Sequence, residues 1–400
     1  MPEAVIVSTA RSPIGRAMKG SLVECRPDDL ATTIVKAALA KVPQLDPNSV
    51  QDLLLGCGEP AGESGNNLAR VVAILAGMPT VPGVTINRYC SSSLQTIRMA
   101  FHAIKAGEGD VFVAAGVETV SRFVNGMADS APHNEAFAQA EARTAEQAKG
   151  ADAWEPPTEL PNIYITMGQT AENVRLSEHV GRREMDEFAC LSQQRSVNSQ
   201  QNGFFEREIT SITTPSGTVV SKDDGPRPGT TVEKLAELKP VFRPDGEVTA
   251  GNSCPLNDGA AAVVVMSDSK ARELGITPLA RIVSSGVSAL NPEIMGLGPI
   301  GASQQVLLRA GMTMSDIDLV EINEAFAAQV IPSARHLGIP WDKLNVNGGA
   351  IALGHPYGMT GARIMTTLLN GLQSADKTFG LETMCVGGGQ GMAMIVERLS

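Results

Sequence analysis

Three side chains able to act as nucleophile or proton carrier stand at points where a turn would fix them. Cys90 sits in Asn87-Arg-Tyr-Cys90-Ser-Ser-Ser, directly before a stretch in which Leu94, Ile97, Phe101 and Ile104 recur every three or four residues. That period predicts an amphipathic helix over 92–106. Its N-terminal N–H groups and positive dipole would stabilise a thiolate and lower the pKa of a cysteine placed there. The competing reading is a small buried core cysteine, the commoner fate of this residue type. His355, one of five histidines, lies in Gly348-Gly-Ala-Ile-Ala-Leu-Gly354-His355-Pro356, followed by Gly358, Gly361 and a helix from Ala362 onward. Between Gly and Pro its backbone is fixed, while small neighbours let other groups come close. A satisfied loop histidine is the alternative.

Cys385 ends a predicted strand and runs into Val386-Gly387-Gly388-Gly389-Gln390-Gly391. Glycines after a strand leave backbone N–H groups accessible, as an oxyanion hole requires. A dinucleotide-binding loop fails on spacing, because Met392 takes the last glycine position and a strand rather than a helix follows. Asn323-Glu324-Ala-Phe326 follows a predicted strand at 319–322, at the edge where α/β sheets place ligands. Asn323 there either serves a site or caps the next helix. Glu118 and Glu321 are expected on solvated faces or in structural contacts.

Positioning these residues takes an α/β framework. Short β-branched runs at 111–114, 262–266, 282–284, 319–322 and 392–396 alternate with helical patterns such as 30–41, the signature of parallel strands joined by helices. A weak repeat sets the two ends of the chain side by side. A helix, a loop ending in Asp and a strand run from Ala31 through Asp52 to Leu55, and again from Gln304 through Asp318 to Ile322. The turn at Asn87 with Cys90 and the turn at Asn347 with His355 each open a helix. Two similar halves, 1–270 and 271–400, are expected. Residues 121–250 differ in character, being Ala/Glu/Gln-rich over 135–149 and Gly/Pro-rich over 216–229, and are expected as an insertion. The strand at 262–266 would return the chain to the first half before the second begins near Thr277.

Four hundred residues exceed the usual single core, and the net charge of −11 argues against a general nucleic-acid or membrane-surface binder. A polyanionic ligand would need a local basic site. The six cysteines are scattered without a CxxC or Cys/His cluster, so neither a disulfide framework nor a metal site is expected. No basic leader precedes Val5-Ile6-Val7, which reads as a first strand, and no window approaches the roughly 20 apolar residues of a membrane span. A cytoplasmic protein without membrane insertion is expected.

Cys90 in its Ser-rich turn, Asn323-Glu-Ala-Phe, Gly354-His355-Pro and Cys385-Val-Gly387 occur in the order of the four active-site segments of thiolases, which the chain resembles over nearly its whole length. Val248-Thr-Ala-Gly-Asn252 and Leu256-Asn-Asp-Gly-Ala260 add to the likeness. The resemblance implies two duplicated halves in five αβαβα layers, with the insertion as a loop domain that holds coenzyme A. It implies ping-pong cleavage of a 3-oxoacyl-CoA. Cys90 is the nucleophile, Cys385 the general acid/base and His355 the activator of Cys90. Asn323 holds a water at the thioester oxygen, and Gly387 supplies an oxyanion N–H. For coenzyme A it implies Arg227 near the nucleotide, Ser253 along the pantetheine, and Met167, Phe242 and Phe326 along the thioester tunnel. Coenzyme A is then a co-substrate with no permanently bound cofactor, and a homodimer or homotetramer, with a possible β-oxidation partner subunit, is expected.

The chain departs from the common pattern at Ser253-Cys254-Pro255, where many relatives carry Ala-Ser-Gly. It also departs at Thr166 before Met167, and at Tyr357 and Met359 after the Gly-His-Pro turn. These changes point towards a medium or long, bulky acyl chain in fatty-acid or related β-oxidation. Three other readings remain: an acetoacetyl-CoA-forming biosynthetic thiolase, a non-catalytic acyl-CoA binder, and a β-ketoacyl-carrier-protein synthase. The last would need a second active-site histidine where Cys385 stands.

Overall fold

The computed structural model describes residues 2–130, 132–150 and 154–400, so a few residues of the expected insertion lie outside the described part. In chain order the principal elements are β1 (Ala4–Arg11), α1 (Pro27–Ala40), β2 (Asp52–Gly56), α2 (Leu68–Leu75), β3 (Gly83–Ile86), α3 (Ser92–Ala106), β4 (Val111–Thr119), α4 (Ala138–Gln147), α5 (Met167–Ser177) and α6 (Arg182–Gln201). They continue with β5 (Asn257–Ser267), β6 (Ala280–Ala289), α7 (Gly298–Ala310), β7 (Leu319–Ile322), α8 (Ala327–Leu337), α9 (Thr360–Ser374), β8 (Phe379–Val386) and β9 (Gln390–Arg398).

The strands are apolar throughout because both sheet faces are covered. In β4, Val111, Val113, Ala115 and Val117 point into one core and Phe112 and Ala114 into another. In β9, Met392, Met394 and Val396 share that second core while Ala393 and Ile395 enter a third. The outer cores are closed by α1 and α2 on one side and by α7 and α8 on the other. The middle core holds α3 and α9, which gives the five αβαβα layers expected.

The repeat is plain in the strand order β7-β8-β9-β6-β1-β5-β4-β2-β3. From β1 outward the pairings with β5, β4 and β2 run antiparallel, antiparallel and parallel. From β6 outward the pairings with β9, β8 and β7 run the same way. Among the described residues, the pairs Val5↔Arg281 and Ile6↔Ala280 join the two sets. Among the described residues the inserted segment has no core apart: Ala171, Met185, Phe188 and Ala189 of α5 and α6 pack with Val330, Ile331 and Leu344 of the second half. Arg143 of α4 is fastened to buried Glu293 by two hydrogen bonds of 3.0 and 2.6 Å.

Of the two settings expected for Glu118 and Glu321, the solvated face fails, since both lie in β-strands covered on both sides and are buried, while Glu118 does make structural contacts. Burial raises the Glu321 carboxyl to about 8, with Arg363 pulling it back in part. A carboxyl raised on folding adds stability that is full below its unfolded value and lost as pH climbs through the folded one. Glu321→Gln is therefore expected to flatten part of the fall in urea midpoint between about pH 5 and pH 9, as measured by denaturation at a series of pH values.

Candidate active site

Two turns that each open a middle-layer helix bring the chemistry together. The first carries Cys90. Tyr89 holds a left-handed φ of 43°, a conformation that costs a non-glycine residue energy and clusters at functional turns. Hydrogen bonds secure it: Asn87 Oδ1 accepts from Tyr89 N at 2.8 Å, and the Ser92 hydroxyl accepts from Arg88 N at 2.9 Å and donates to Tyr89 O at 2.7 Å. Ser93 reaches the other half, where its hydroxyl accepts from Ala362 N at 2.9 Å. The serine run after Cys90 thus builds the turn and docks it. Gly361 allows the approach, since a Cβ there would collide with the Leu94 backbone.

The second turn carries His355. Gly354 has φ 112°, open to glycine alone, and the His355 N–H donates to Asn257 Oδ1 at 3.1 Å. The Thr360 hydroxyl donates to Pro356 O at 2.8 Å and lies 2.6 Å from His355 Nδ1. With its one proton committed to Pro356, Thr360 accepts from Nδ1–H, so Nε2 carries the lone pair. Facing Nε2 at 3.3 Å is the Asn323 side-chain nitrogen, the matching donor. The Asn323 oxygen is buried without a protein partner, suited to hold a water or substrate donor. The capping alternative for Asn323 fails, because α8 begins at Ala327 with Phe326 at its N-cap. Its neighbour Glu324 is structural: its carboxylate accepts from Ser192, Asn345 and Ile351 at 2.6, 2.8 and 3.1 Å.

Burial pushes the Cys90 thiol up to about 11 and outweighs the backbone of Gly387 and of Cys90 itself, which favour the thiolate. The expected lowering by the helix N-terminus is thus overturned in the resting site by loss of water around the thiolate. Burial also drives His355 down to about 3, with Arg363 adding to the fall. The resting pair is therefore thiol and neutral imidazole, and proton transfer must accompany attack on substrate. Iodoacetamide labelling of Cys90 is expected to accelerate steadily from about pH 7 to pH 10 without a plateau, as followed by mass spectrometry of the labelled peptide.

Cys385 is fully buried, and its thiol is held well above the ordinary range by burial and by the thiols of Cys90 and Cys254. Burial, with Cys90 next, raises Cys254 likewise. Among the residues expected to meet coenzyme A, Phe242 and Phe326 stand edge to face with centroids 6.1 Å apart. Gly168, beside Met167 at the start of α5, leaves room for the Phe242 ring. Ser253 pairs with Phe326 in an isolated bridge, but its hydroxyl donates to Thr249 O at 2.7 Å. Arg227 is exposed, and burial and nearby Arg16 lower its pKa, so two cations sit together there.

Sequence reasoning gave Asn257 and Thr360 no role in the site and named Glu118 only as a solvated or structural carboxylate. Glu118 accepts from Gly58, Gly358 and Glu59 at 2.7, 2.9 and 3.2 Å and so ties the histidine turn to the loop after β2. Thr360, five residues beyond His355 at a helix start, was the one with a readable signal.

The chain matches Thiolase, N-terminal domain, over residues 4–269 and Thiolase, C-terminal domain, over residues 276–398. It is 42% identical to a 3-ketoacyl-CoA thiolase of Bacillus subtilis across 99% of this chain and 100% of that one. It is 43% identical to a 3-oxoadipyl-CoA/3-oxo-5,6-dehydrosuberyl-CoA thiolase of Escherichia coli, with both chains covered in full. The crystal structure of a Bacillus anthracis acetyl-CoA acetyltransferase superposes with a TM-score of 0.86 at 38% identity, over 100% of this chain and 99% of that one. With both family halves matched end to end and the four motif segments meeting at one centre, the chain belongs to the thiolase family.

Proposed function

We propose that this enzyme cleaves 3-oxoacyl-CoA with coenzyme A to acetyl-CoA and a shortened acyl-CoA, reversibly, through an acyl group carried on Cys90. The observation that carries the reading is the Asn323–His355 pair, whose lone-pair nitrogen is set by Thr360, in a turn whose helix Ser93 docks to the Cys90 turn. His355 takes the Cys90 proton as sulfur attacks the 3-keto carbon. The N–H groups of Cys90 and Gly387 hold the oxyanion that forms there. As the carbon–carbon bond breaks, Cys385 protonates the acetyl-CoA carbanion, while His355 and a water held by Asn323 stabilise its enolate oxygen. Coenzyme A then takes the acyl group. Losing one oxyanion donor typically costs about 2.7–4 kcal/mol, so the two holes supply much of the barrier reduction.

The reading extends to the site's surroundings. Arg227 meets the nucleotide, and Ser253, Met167, Phe242 and Phe326 line the pantetheine and thioester path, with coenzyme A a co-substrate rather than a resident cofactor. Residues 1–270, with the loop-domain insertion at about 121–250, and 271–400 act as the two halves. The enzyme works in the cytoplasm as a homodimer or homotetramer, with room for a β-oxidation partner subunit, in fatty-acid or related acyl-CoA degradation. Support for degradation comes from the 3-ketoacyl-CoA thiolase relatives. A second reading, synthesis of acetoacetyl-CoA, has its support in the acetyl-CoA acetyltransferase likeness. Cleavage of acetoacetyl-CoA and of a long-chain 3-oxoacyl-CoA, followed at the enolate absorbance, tests both. Faster long-chain cleavage supports degradation, and acetoacetyl-CoA alone being cleaved supports the second. No cleavage of either would overturn the enzymatic reading.

A further inference from the structure

The loop that carries Gly387 is three glycines long and needs a tether to hold one shape. Strands β8 and β9 pair as far as Val386↔Gln390, which leaves Gly387, Gly388 and Gly389 as the connection, the last two at left-handed φ values of 75° and 78°. Glycine gives up more backbone freedom on ordering than any other residue, whereas an oxyanion donor works only when its N–H is held in place beforehand. The tether is a relay of side chains from the helix that follows Cys90. Gln95, buried in α3, accepts from Arg88 Nε at 3.1 Å. Arg88 Nη1 donates to Gln390 Oε1 at 2.7 Å, and Gln390 Nε2 donates to the Gly387 carbonyl at 3.3 Å. The two loops also touch directly, since a Cβ on Gly387 would fall 3.3 Å from the Tyr89 ring.

The residue types are matched to the relay. A guanidinium only donates and a backbone carbonyl only accepts, so the side chain between them must accept at one end and donate at the other. An amide does both, and an ionised carboxylate at 390 could not. The same requirement fixes the Gln390 amide in one of its two orientations. Among the described residues no carboxylate pairs with Arg88, and burial lowers its pKa. Its half-buried charge is therefore directed at amide oxygens, and a charged donor makes the shorter, stronger kind of hydrogen bond. Gln390 is itself anchored as the first residue of β9, paired with Val386 on one side and Ala289 on the other.

We propose that Arg88 and Gln390 are positioning residues for the reaction: they hold the Gly387 loop at a set distance from Cys90 and so align the oxyanion donor with the nucleophile. The proposal rests on the thiolase reading and adds two residues to which that reading gives no role. The step they serve is addition of the Cys90 sulfur to a keto or thioester carbonyl. The Cys90 proton goes to His355, a sulfur–carbon bond forms, and the carbonyl electron pair moves onto oxygen beside the Gly387 N–H. Collapse of that adduct restores the carbonyl and expels coenzyme A thiolate from an acyl-CoA, or the acetyl-CoA carbanion from a 3-oxoacyl-CoA. Proton exchange at the acetyl-CoA methyl group uses Cys385, His355 and the water on Asn323 instead. The relay therefore bears on one half of the chemistry and not on the other.

The test uses Gln390→Glu, which keeps the size of the side chain and strengthens its bond to Arg88 but sets an acceptor against the Gly387 carbonyl. Acylation of Cys90 by acetyl-CoA, followed by rapid quenching and intact mass, is expected to slow by about tenfold to a hundredfold, the scale on which a misplaced oxyanion donor acts. Exchange of the acetyl-CoA methyl protons with deuterated water, measured once acylation is complete, is expected to stay near the wild-type rate. Arg88→Met cuts the relay at its other end, so it is expected to give the same split and decides the matter where Gln390→Glu does not fold. Arg88→Lys, which can still donate to Gln390, is expected to recover most of the loss. Acylation at the wild-type rate in the folded variants, or an equal fall in acylation and exchange, overturns the proposal and leaves the thiolase reading standing. Wild-type enzyme that neither acylates nor cleaves acetoacetyl-CoA overturns both.

Discussion

Cys90→Ala is expected to abolish thiolysis, lowering turnover by about four to six orders of magnitude, the scale on which removal of a covalent nucleophile acts. The loss follows from the division of labour around the sulfur. The backbone of Gly387 and of Cys90 favours the thiolate, and the His355 imidazole is held by Asn323 in the facing turn, but none of these groups forms a bond to carbon. Two other thiols lie within electrostatic reach, Cys254 and Cys385, and burial holds both well above the ordinary range. Neither is expected to rescue the variant. The measurement is acetoacetyl-CoA cleavage with free coenzyme A for both proteins, with coenzyme A binding and the urea midpoint as controls. Residual turnover within about a hundredfold of wild type would mean that a different thiol attacks, and Cys90→Ala/Cys254→Ala would then identify it.

Much of this site was legible before any coordinates, for physical reasons that differ from residue to residue. Cys90 and His355 could be found because each precedes a helix, and the period of Leu94, Ile97, Phe101 and Ile104 marks such a helix clearly. The duplication could be seen because a repeated fold repeats its turn residues, and the matching runs of strand pairing bear it out. What escaped was long-range polar contact. Asn257 reaches His355 across 98 positions and Glu118 reaches Gly358 across 240, and no local period announces either. Glu118 and Glu321 look like surface residues by type, since a carboxylate is costly to bury, and only the sheet stacking reveals that they are enclosed. The Cys90 pKa was misjudged for a related reason. A helix N-terminus is visible in sequence and favours the thiolate, whereas the enclosure that opposes it is made by β8 and the histidine turn, hundreds of residues away.

Cys385→Ala is expected to separate the two halves of the reaction, which distinguishes its role from that of Cys90. A general acid/base at carbon typically contributes about 10²- to 10⁴-fold, so exchange of the acetyl-CoA methyl protons with deuterated water is expected to fall by that amount. Acyl transfer onto Cys90 requires only the nucleophile, its imidazole partner and the N–H groups, all of which remain, so acylation by an acyl-CoA, detected by intact mass, is expected to persist. The small side chain is buried in the third core with Ile322, Ala393 and Ile395, and its truncation leaves at most a cavity of one sulfur atom. Parallel loss of exchange and acylation would instead assign Cys385 to holding the Gly387 turn in place. The distinction matters because Cys385 and Gly387 sit two residues apart on the same strand end. Only a variant that keeps the turn while removing the proton carrier separates chemistry at carbon from support of the oxyanion hole.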